Sequence, residues 1–308
     1  MNVLIASNRD YLKYTMVMLY SLFMNNDVSI DVYMPYNNLR NEDIVMLESF
    51  ISFFQDKHFH PIKLDGEFDK SVTSHNNISI ETYYRILAID LLPKDIDRIL
   101  YLDVDMIIQG SLESLYWGDL TGYPFLVCED ILGILNGFHE ANKFRMGIPP
   151  EYSYFNAGVM LFNLEYLRKT NASEMVIDRI YKNQDRYEYN DQDVLNEVYY
   201  DKLRFVPWDK YNCPPGIYFL DREELGKGKV VFASYNEIKD LSSDIKRLSD
   251  RYIDVTDQIK NKAIIIHYMG NSKPWKSDKN SSTFSLFNSV YFEYEQAVNN
   301  IMNNVNIQ

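Results

Sequence analysis

The chain has 308 residues, 46% hydrophobic and 24% charged, with a formal net charge of −13 from 31 Lys plus Arg against 44 Asp plus Glu. That balance excludes wholesale disorder, and the lack of a long basic run disfavours a nucleic-acid surface, whose affinity rests on clustered cations. Two cysteines, Cys128 and Cys213, exclude a disulfide-rich scaffold, and the short apolar run of Met1 to Ser7, with no apolar stretch of about eighteen residues anywhere, predicts a cytoplasmic protein with no membrane span.

Val3-Leu4-Ile5-Ala6 is a β-type run that stops at the polar turn Ser7-Asn8-Arg9-Asp10-Tyr11, before helical spacing through Tyr14, Val17, Met18, Ser21 and Leu22. Strand, turn and helix open a nucleotide-binding unit. It lacks Gly-x-Gly-x-x-Gly, which argues against a dinucleotide held in the Rossmann manner. A second strand is expected at Ile30 to Met34, a helix over 41–54 and a third strand at Pro61 to Leu64. A helix capped by Ser79 runs to about Leu92, where Pro93 stops it. The alternation predicts an α/β fold with a mostly parallel sheet covered by helices on both faces.

Arg98 to Leu102 reads as a fully buried parallel strand, ending in Asp103-Val104-Asp105. Side chains two apart on an extended chain share a face, so both acids can point at one object, most simply a divalent cation, while Val104 turns into the core. A solvated turn is the alternative, because Asp is common there for local hydrogen-bonding reasons. Another strand is expected at Pro124 to Cys128, then an irregular stretch over 130–154 punctuated by Gly133, Gly137, Gly147, Pro149 and Pro150. Tyr154-Phe155-Asn156-Ala157-Gly158 opens a further apolar strand, followed by helices near 173–187 and 191–200, the second starting at Asn190-Asp191-Gln192-Asp193. Residues 221–262 read as a charge-rich peripheral insertion. Ala263 to Ile266 is one more buried strand, ending in His267, with Gly270 and Lys273 beyond it. Two carboxylates and an imidazole suit Mn²⁺, whereas Mg²⁺ relies on oxygens; the plainer roles are a structural histidine and a surface lysine. Residues 277–308 suggest an aromatic amphipathic helix packed on the body, with a frayed Asn-rich tip. The 25 Tyr and 17 Phe serve either as core or as sugar-stacking rings.

Asp103-Val104-Asp105, Tyr154-Phe155-Asn156-Ala157-Gly158, Asn190-Asp191-Gln192-Asp193 and the segment from His267 to Trp275, in that order, resemble the retaining glycosyltransferases of family 8. That family includes bacterial lipopolysaccharide galactosyl- and glucosyltransferases and glycogenin. The likeness covers residues 1–276. It implies a GT-A fold, a Rossmann-like nucleotide-binding catalytic domain, a UDP-glucose or UDP-galactose donor, and Mn²⁺ (or Mg²⁺) bridging the diphosphate. Asp103, Asp105 and His267 would be metal ligands. Gly270 and Lys273 would hold the diphosphate, and Val104 would join the donor-contacting positions. Ala6, Asn8 and Tyr11 would meet the nucleoside, although the family usually shows an acid at Asn8 and an asparagine at Asp10. Arg85 would reach the donor sugar or phosphate, its plainer role being an i,i+4 pair with Glu81. Asn156, Asp191 and Gln192 would line the sugar, with Gln192 and Asp191 steadying positive charge on its reacting carbon or Asp191 acting as a nucleophile.

The acceptor implied is a glycan, glycolipid or glycoprotein, reached beneath the 130–154 stretch. Many relatives act on lipid-linked or cell-wall glycans at the membrane face and some carry a basic tail for it, but Glu293 to Gln308 has no Lys or Arg, so that mode of attachment is not expected. Competing readings are a metal-dependent phosphohydrolase, which usually needs more acids, a non-catalytic carbohydrate-binding protein, and a self-glycosylating one. Neither the hexose nor the oligomeric state is written in the sequence.

Overall fold

The computed structural model describes residues 1–65, 80–135, 137–215, 262–270, 273–276 and 286–305. Nine strands occur in this order: β1 (Asn2–Leu4), β2 (Ile30–Tyr36), β3 (Lys57–Lys63), β4 (Arg98–Leu102), β5 (Met106–Ile108), β6 (Phe125–Glu129), β7 (Phe155–Asn163), β8 (Leu203–Phe205) and β9 (Ile265–His267) among the described residues. Seven of them form one sheet in the order β3-β2-β1-β4-β7-β6-β8. β1, β2, β3 and β4 run parallel, and β7 runs antiparallel to both β4 and β6. The chain leaves β1 toward one edge and later returns to place β4 on its other side. That reversal opens a crevice at the carboxyl ends of β1 and β4, the usual place for a ligand in an open α/β sheet.

Hydrophobic alternation along β4 explains why its end is held so firmly. Leu100 and Leu102 belong to the core under α1 (Leu12–Met24) and α2 (Asn41–Ile51), while Ile99 and Tyr101 belong to the core on the opposite face. That second face is covered by α3 (Tyr84–Leu91), α7 (Leu164–Lys169), α8 (Ala172–Asn183) and α9 (Asn190–Tyr199), which bury Ile86, Leu167, Val176 and Leu195. The smaller helices are α4 (Glu113–Tyr116), α5 (Ile131–Leu135), α6 (Phe138–Met146) and α10 (Trp208–Tyr211). The C-terminal helix α11 (Leu286–Val305) lies on α1, with Tyr20 and Tyr294 edge to face at 6.0 Å and Lys13 2.9 Å from Glu295. No helix among the described residues is long and apolar enough to cross a membrane.

Several expected elements differ in detail. β3 starts four residues before Pro61, because it pairs along its whole length with β2, from Ile30↔Lys57 to Tyr36↔Lys63. The 130–154 stretch is largely helical: Gly137 and Gly147, expected to break structure, sit at φ 69° and 72° on either side of α6 and serve as its caps. The strand before His267 does not join the main sheet. β9 pairs antiparallel with β5, placing Met106 opposite His267. A 3₁₀ turn, Ile80–Tyr83, precedes α3, whereas Ser79, residues 221–261 of the expected insertion and the tip beyond Val305 lie outside the described residues.

Candidate active site

The sheet brings three segments to one point. Asp103 follows β4 directly, and its backbone N–H donates to Gly158 O at 2.9 Å, locking it to the start of β7. Asp105 precedes β5, and the N–H of Tyr268 donates to its carbonyl at 2.9 Å, so the β5–β9 pair carries His267 to the same place. Val104 between the acids is 7% exposed and faces the core. One ligand atom from each of Asp103, Asp105 and His267 lies within 4.8 Å of the others. His267 Nε2 stands 3.2 Å from Asp105 Oδ1 and 3.6 Å from Asp103 Oδ2.

This donor set fits a divalent cation. Two hard carboxylate oxygens and one imidazole nitrogen suit Mn²⁺ well, and the remaining polar atoms of all three side chains already have protein partners. The other Asp103 oxygen accepts from Tyr101 OH at 2.7 Å and from Arg85 Nη2 at 3.2 Å. The other Asp105 oxygen accepts from Lys273 Nζ, which also donates to Tyr268 O at 2.7 Å. Burial alone would raise the Asp105 carboxyl, but Lys273 and His267 outweigh it and hold it well below the carboxylate range. Space for the cluster depends on Gly158: a Cβ there would overlap His267 Cε1 and come within 2.9 Å of Asp103 Oδ2.

Arg85 is buried and spends its guanidinium on the protein. Nε donates to Thr82 O at 2.9 Å, Nη1 to Ala157 O, and the plane lies 3.7 Å over the Tyr101 ring. Its Nε is also 3.0 Å from Asp191 Oδ2, an oxygen that accepts no directed hydrogen bond. Burial lifts the Asp191 carboxyl to about 6 despite that contact, and Asp103 adds to the rise, since one guanidinium serves both acids.

Gln192 is held from all sides. Its Oε1 accepts from Ala157 N at 3.0 Å and from Asn156 Nδ2 at 3.1 Å, while Nε2 donates to Asp130 Oδ2 at 3.1 Å. The nucleoside candidates lie at the end of β1, next to β4. Ala6 is half-buried there, and Asn8 Oδ1 caps the following turn by accepting from Tyr11 N at 3.2 Å. Tyr14 stacks on Trp275 at 3.8 Å and Tyr11 meets the same indole edge-on at 6.1 Å, so the first turn and the segment after His267 form one wall. Gly270, at φ 69°, makes the turn that returns Lys273 to Asp105.

Two residues here escape a sequence reading. Asp130 stands one residue beyond β6, the strand-end logic that singled out Asp103, and burial raises its carboxyl. Asn212, 1% exposed, bridges His267 and Asn156.

An open, mostly parallel α/β sheet with two acids after a central strand and a histidine beside them defines a class, and sequence comparison places the chain within it. The chain belongs to glycosyl transferase family 8, whose family model matches residues 2–279. It is 27% identical over 232 residues to a lipopolysaccharide 1,2-glucosyltransferase of Escherichia coli, covering 74% of this chain and 59% of that protein. It is 29% identical over 220 residues to the lipopolysaccharide 1,3-galactosyltransferase of Salmonella typhimurium, covering 70% of this chain and 55% of the relative. The matched stretch thus spans under two thirds of those relatives' own length. Its fold matches the solved structure of the galactosyltransferase LgtC in complex with donor and acceptor sugar analogs, with a TM-score of 0.72 at 21% identity over 96% of each chain, which establishes the GT-A architecture.

Proposed function

We propose that this glycosyltransferase moves glucose or galactose from a UDP-sugar to a glycan, glycolipid or glycoprotein acceptor, with a divalent metal and with retention at the anomeric carbon. The carrying observation is the convergence of Asp103, Asp105 and His267 within 4.8 Å beside Lys273. Relatives named for lipopolysaccharide glucosyl and galactosyl transfer support the hexose reading. Residues 1–276 would be the catalytic domain, with 277–308 as a tail on the body.

Cleaving a sugar–diphosphate bond places negative charge on the leaving nucleotide, so the site must supply positive charge there. A bound Mn²⁺ would act as Lewis acid toward the diphosphate, held by Asp103, Asp105 and His267. Lys273 would add a second cation. Gly270 leaves room for the diphosphate to approach the backbone, and Ala6, Asn8 and Tyr11 would receive the nucleoside. Gln192, fixed by four protein groups, and Asp191, held beside Arg85, would steady the positive charge that develops on the sugar carbon. A double displacement through the Asp191 carboxylate is the second reading, and it would require that carboxylate to leave Arg85. Arg85 would act on the donor side mainly by holding Asp103 and Asp191 in place.

The test is UDP release from UDP-glucose and UDP-galactose, with Mn²⁺ and with chelator, in the wild type and in Asp105→Ala. Release should require the metal and fall by about a hundredfold or more in the variant. Release that survives both chelation and the substitution would overturn the reading. Hydrolysis of a simple phosphate ester in place of either donor would favour the phosphohydrolase.

A further inference from the structure

We propose that Asn212 is a positioning residue: it fixes the tautomer of His267 that presents Nε2 to a metal, and it ties that imidazole to Gln192 through Asn156. This inference rests on the metal-dependent reading above, but its core is a chain of directed hydrogen bonds within the protein.

The direction of the chain is set by backbone donors, which cannot flip. Gly158 N–H donates to Asn156 Oδ1 at 3.0 Å, so that atom is the oxygen and the other is the NH₂. Asn156 Nδ2 therefore donates to Gln192 Oε1, whose identity as oxygen is set independently by Ala157 N–H at 3.0 Å. Asn156 Oδ1 also receives a bond of 3.0 Å from Asn212, so the Asn212 atom facing it is Nδ2. The Asn212 atom facing His267 Nδ1 at 2.7 Å is then Oδ1, an acceptor. Hence Nδ1 carries a hydrogen, and Nε2, the ring nitrogen that faces Asp103 and Asp105, is the one left to bind a metal. Reversing Asn212 would set oxygen against oxygen at Asn156, and reversing Asn156 would set NH₂ against the Gly158 N–H. Burial makes either error expensive, since Asn212 is 1% and His267 2% exposed.

Such an outer partner orients a histidine ligand and raises its basicity. Here it does more, because the same amide reaches Gln192 in two steps. A shift of the imidazole on loading the site is passed to the glutamine that faces the reacting carbon. The backbone supports the arrangement: His267 N donates to Cys213 O and Cys213 N to Ile265 O, at 2.9 and 3.0 Å, so Asn212 and His267 sit on two paired segments.

The first measurement is the ¹⁵N spectrum of histidine-labelled, metal-free protein at a pH where the ring is neutral, with the resonance assigned by a His267 substitution. The expected result is the Nδ1–H tautomer in the wild type; an Nε2–H tautomer overturns the proposal. The second is Mn²⁺ binding by calorimetry, with UDP present. Asn212→Leu should mix the tautomers and weaken Mn²⁺ binding by about 10- to 100-fold. Asn212→Asp keeps an acceptor for Nδ1–H but cannot donate to Asn156; it should retain Mn²⁺ binding while kcat for UDP release falls about tenfold with little change in KM. Equal Mn²⁺ binding in wild type and Asn212→Leu overturns the proposal, as does equal loss of Mn²⁺ binding in both variants. Should Asn212→Leu fail to fold, the wild-type spectrum and Asn212→Asp still decide. If the wild type binds no Mn²⁺ in the presence of UDP, the metal reading fails, and the spectrum judges the relay separately.

Discussion

Lys273 Nζ donates to Asp105 Oδ2 while the other oxygen of the same carboxylate faces His267 Nε2 at 3.2 Å. With Arg85 on Asp103, each acid of the cluster already has a cation beside it. A divalent ion entering alone must compete with that ammonium, whereas a diphosphate gives Lys273 a new partner. Lys273→Met is therefore expected to bind Mn²⁺ alone more tightly than the wild type and UDP with Mn²⁺ about tenfold more weakly. Calorimetry with and without UDP checks the opposite signs. If both affinities fall together, Lys273 only supports the fold.

Gly158 is required for a reason unrelated to backbone torsion. A methyl group there would overlap His267 Cε1 and crowd Asn156 Oδ1 and Asp103 Oδ2, each at 2.9 Å, at the most confined point of the site. Gly158→Ala should cost about 1–3 kcal/mol of stability by overpacking and should weaken Mn²⁺ binding. Chemical denaturation together with metal titration tests this. Unchanged metal binding would mean that the imidazole can give way.

How much of this was legible depended on how local each signal is. Along Arg98 to Leu102 alternation fills two cores, as the sequence suggests, whereas Asp103 and Asp105 meet through the bend that carries the chain from β4 into the β5–β9 pair, with Val104 buried between them. The helices α5 and α6 were hidden because Gly137 and Gly147 look like breakers until their left-handed φ shows them to be caps. Asn212 carries no periodic signal. Its meaning lies in partners 55 and 56 residues away, which only the β5–β9 pair and the start of β7 bring together. Arg85 could equally have paired along its helix, and only the buried crevice shows that it bridges Asp103 and Asp191.

That bridge makes Arg85→Lys a severe change. The guanidinium serves Thr82 O, Ala157 O, Asp103 and Asp191 from one plane stacked on Tyr101. An ammonium is a point charge that cannot reach all four. The expected loss is about 2–4 kcal/mol of stability, with donor turnover falling further than stability alone explains. Urea unfolding and UDP release well below the midpoint separate the two effects. A variant with normal stability and normal turnover would reduce Arg85 to filler.

His139 makes the fold sensitive to acid. Its ring is buried edge-on to Tyr154 at 5.0 Å, and Nε2 has no hydrogen-bond partner among the described residues. Burial, helped by Lys143, pushes the imidazole down to about 3 from its ordinary 6.5. The sign follows from which state binds the proton more readily. Above 6.5 the ring is neutral folded or unfolded and costs nothing; as pH falls from 6.5 toward 3 the unfolded chain takes up a proton that the folded one refuses. Stability should drop through that window by about 1.4 kcal/mol per pH unit from this group. Asp191, raised to about 6, contributes the opposite slope between 3.8 and 6, so the comparison must be made against a variant and not against neutral pH alone. His139→Phe keeps the packed ring and removes the titration. Its advantage over the wild type in urea unfolding should therefore grow by roughly 3 kcal/mol between about pH 7 and about pH 4.5. Parallel acid limbs for the two proteins would show that the imidazole is hydrated and titrates normally.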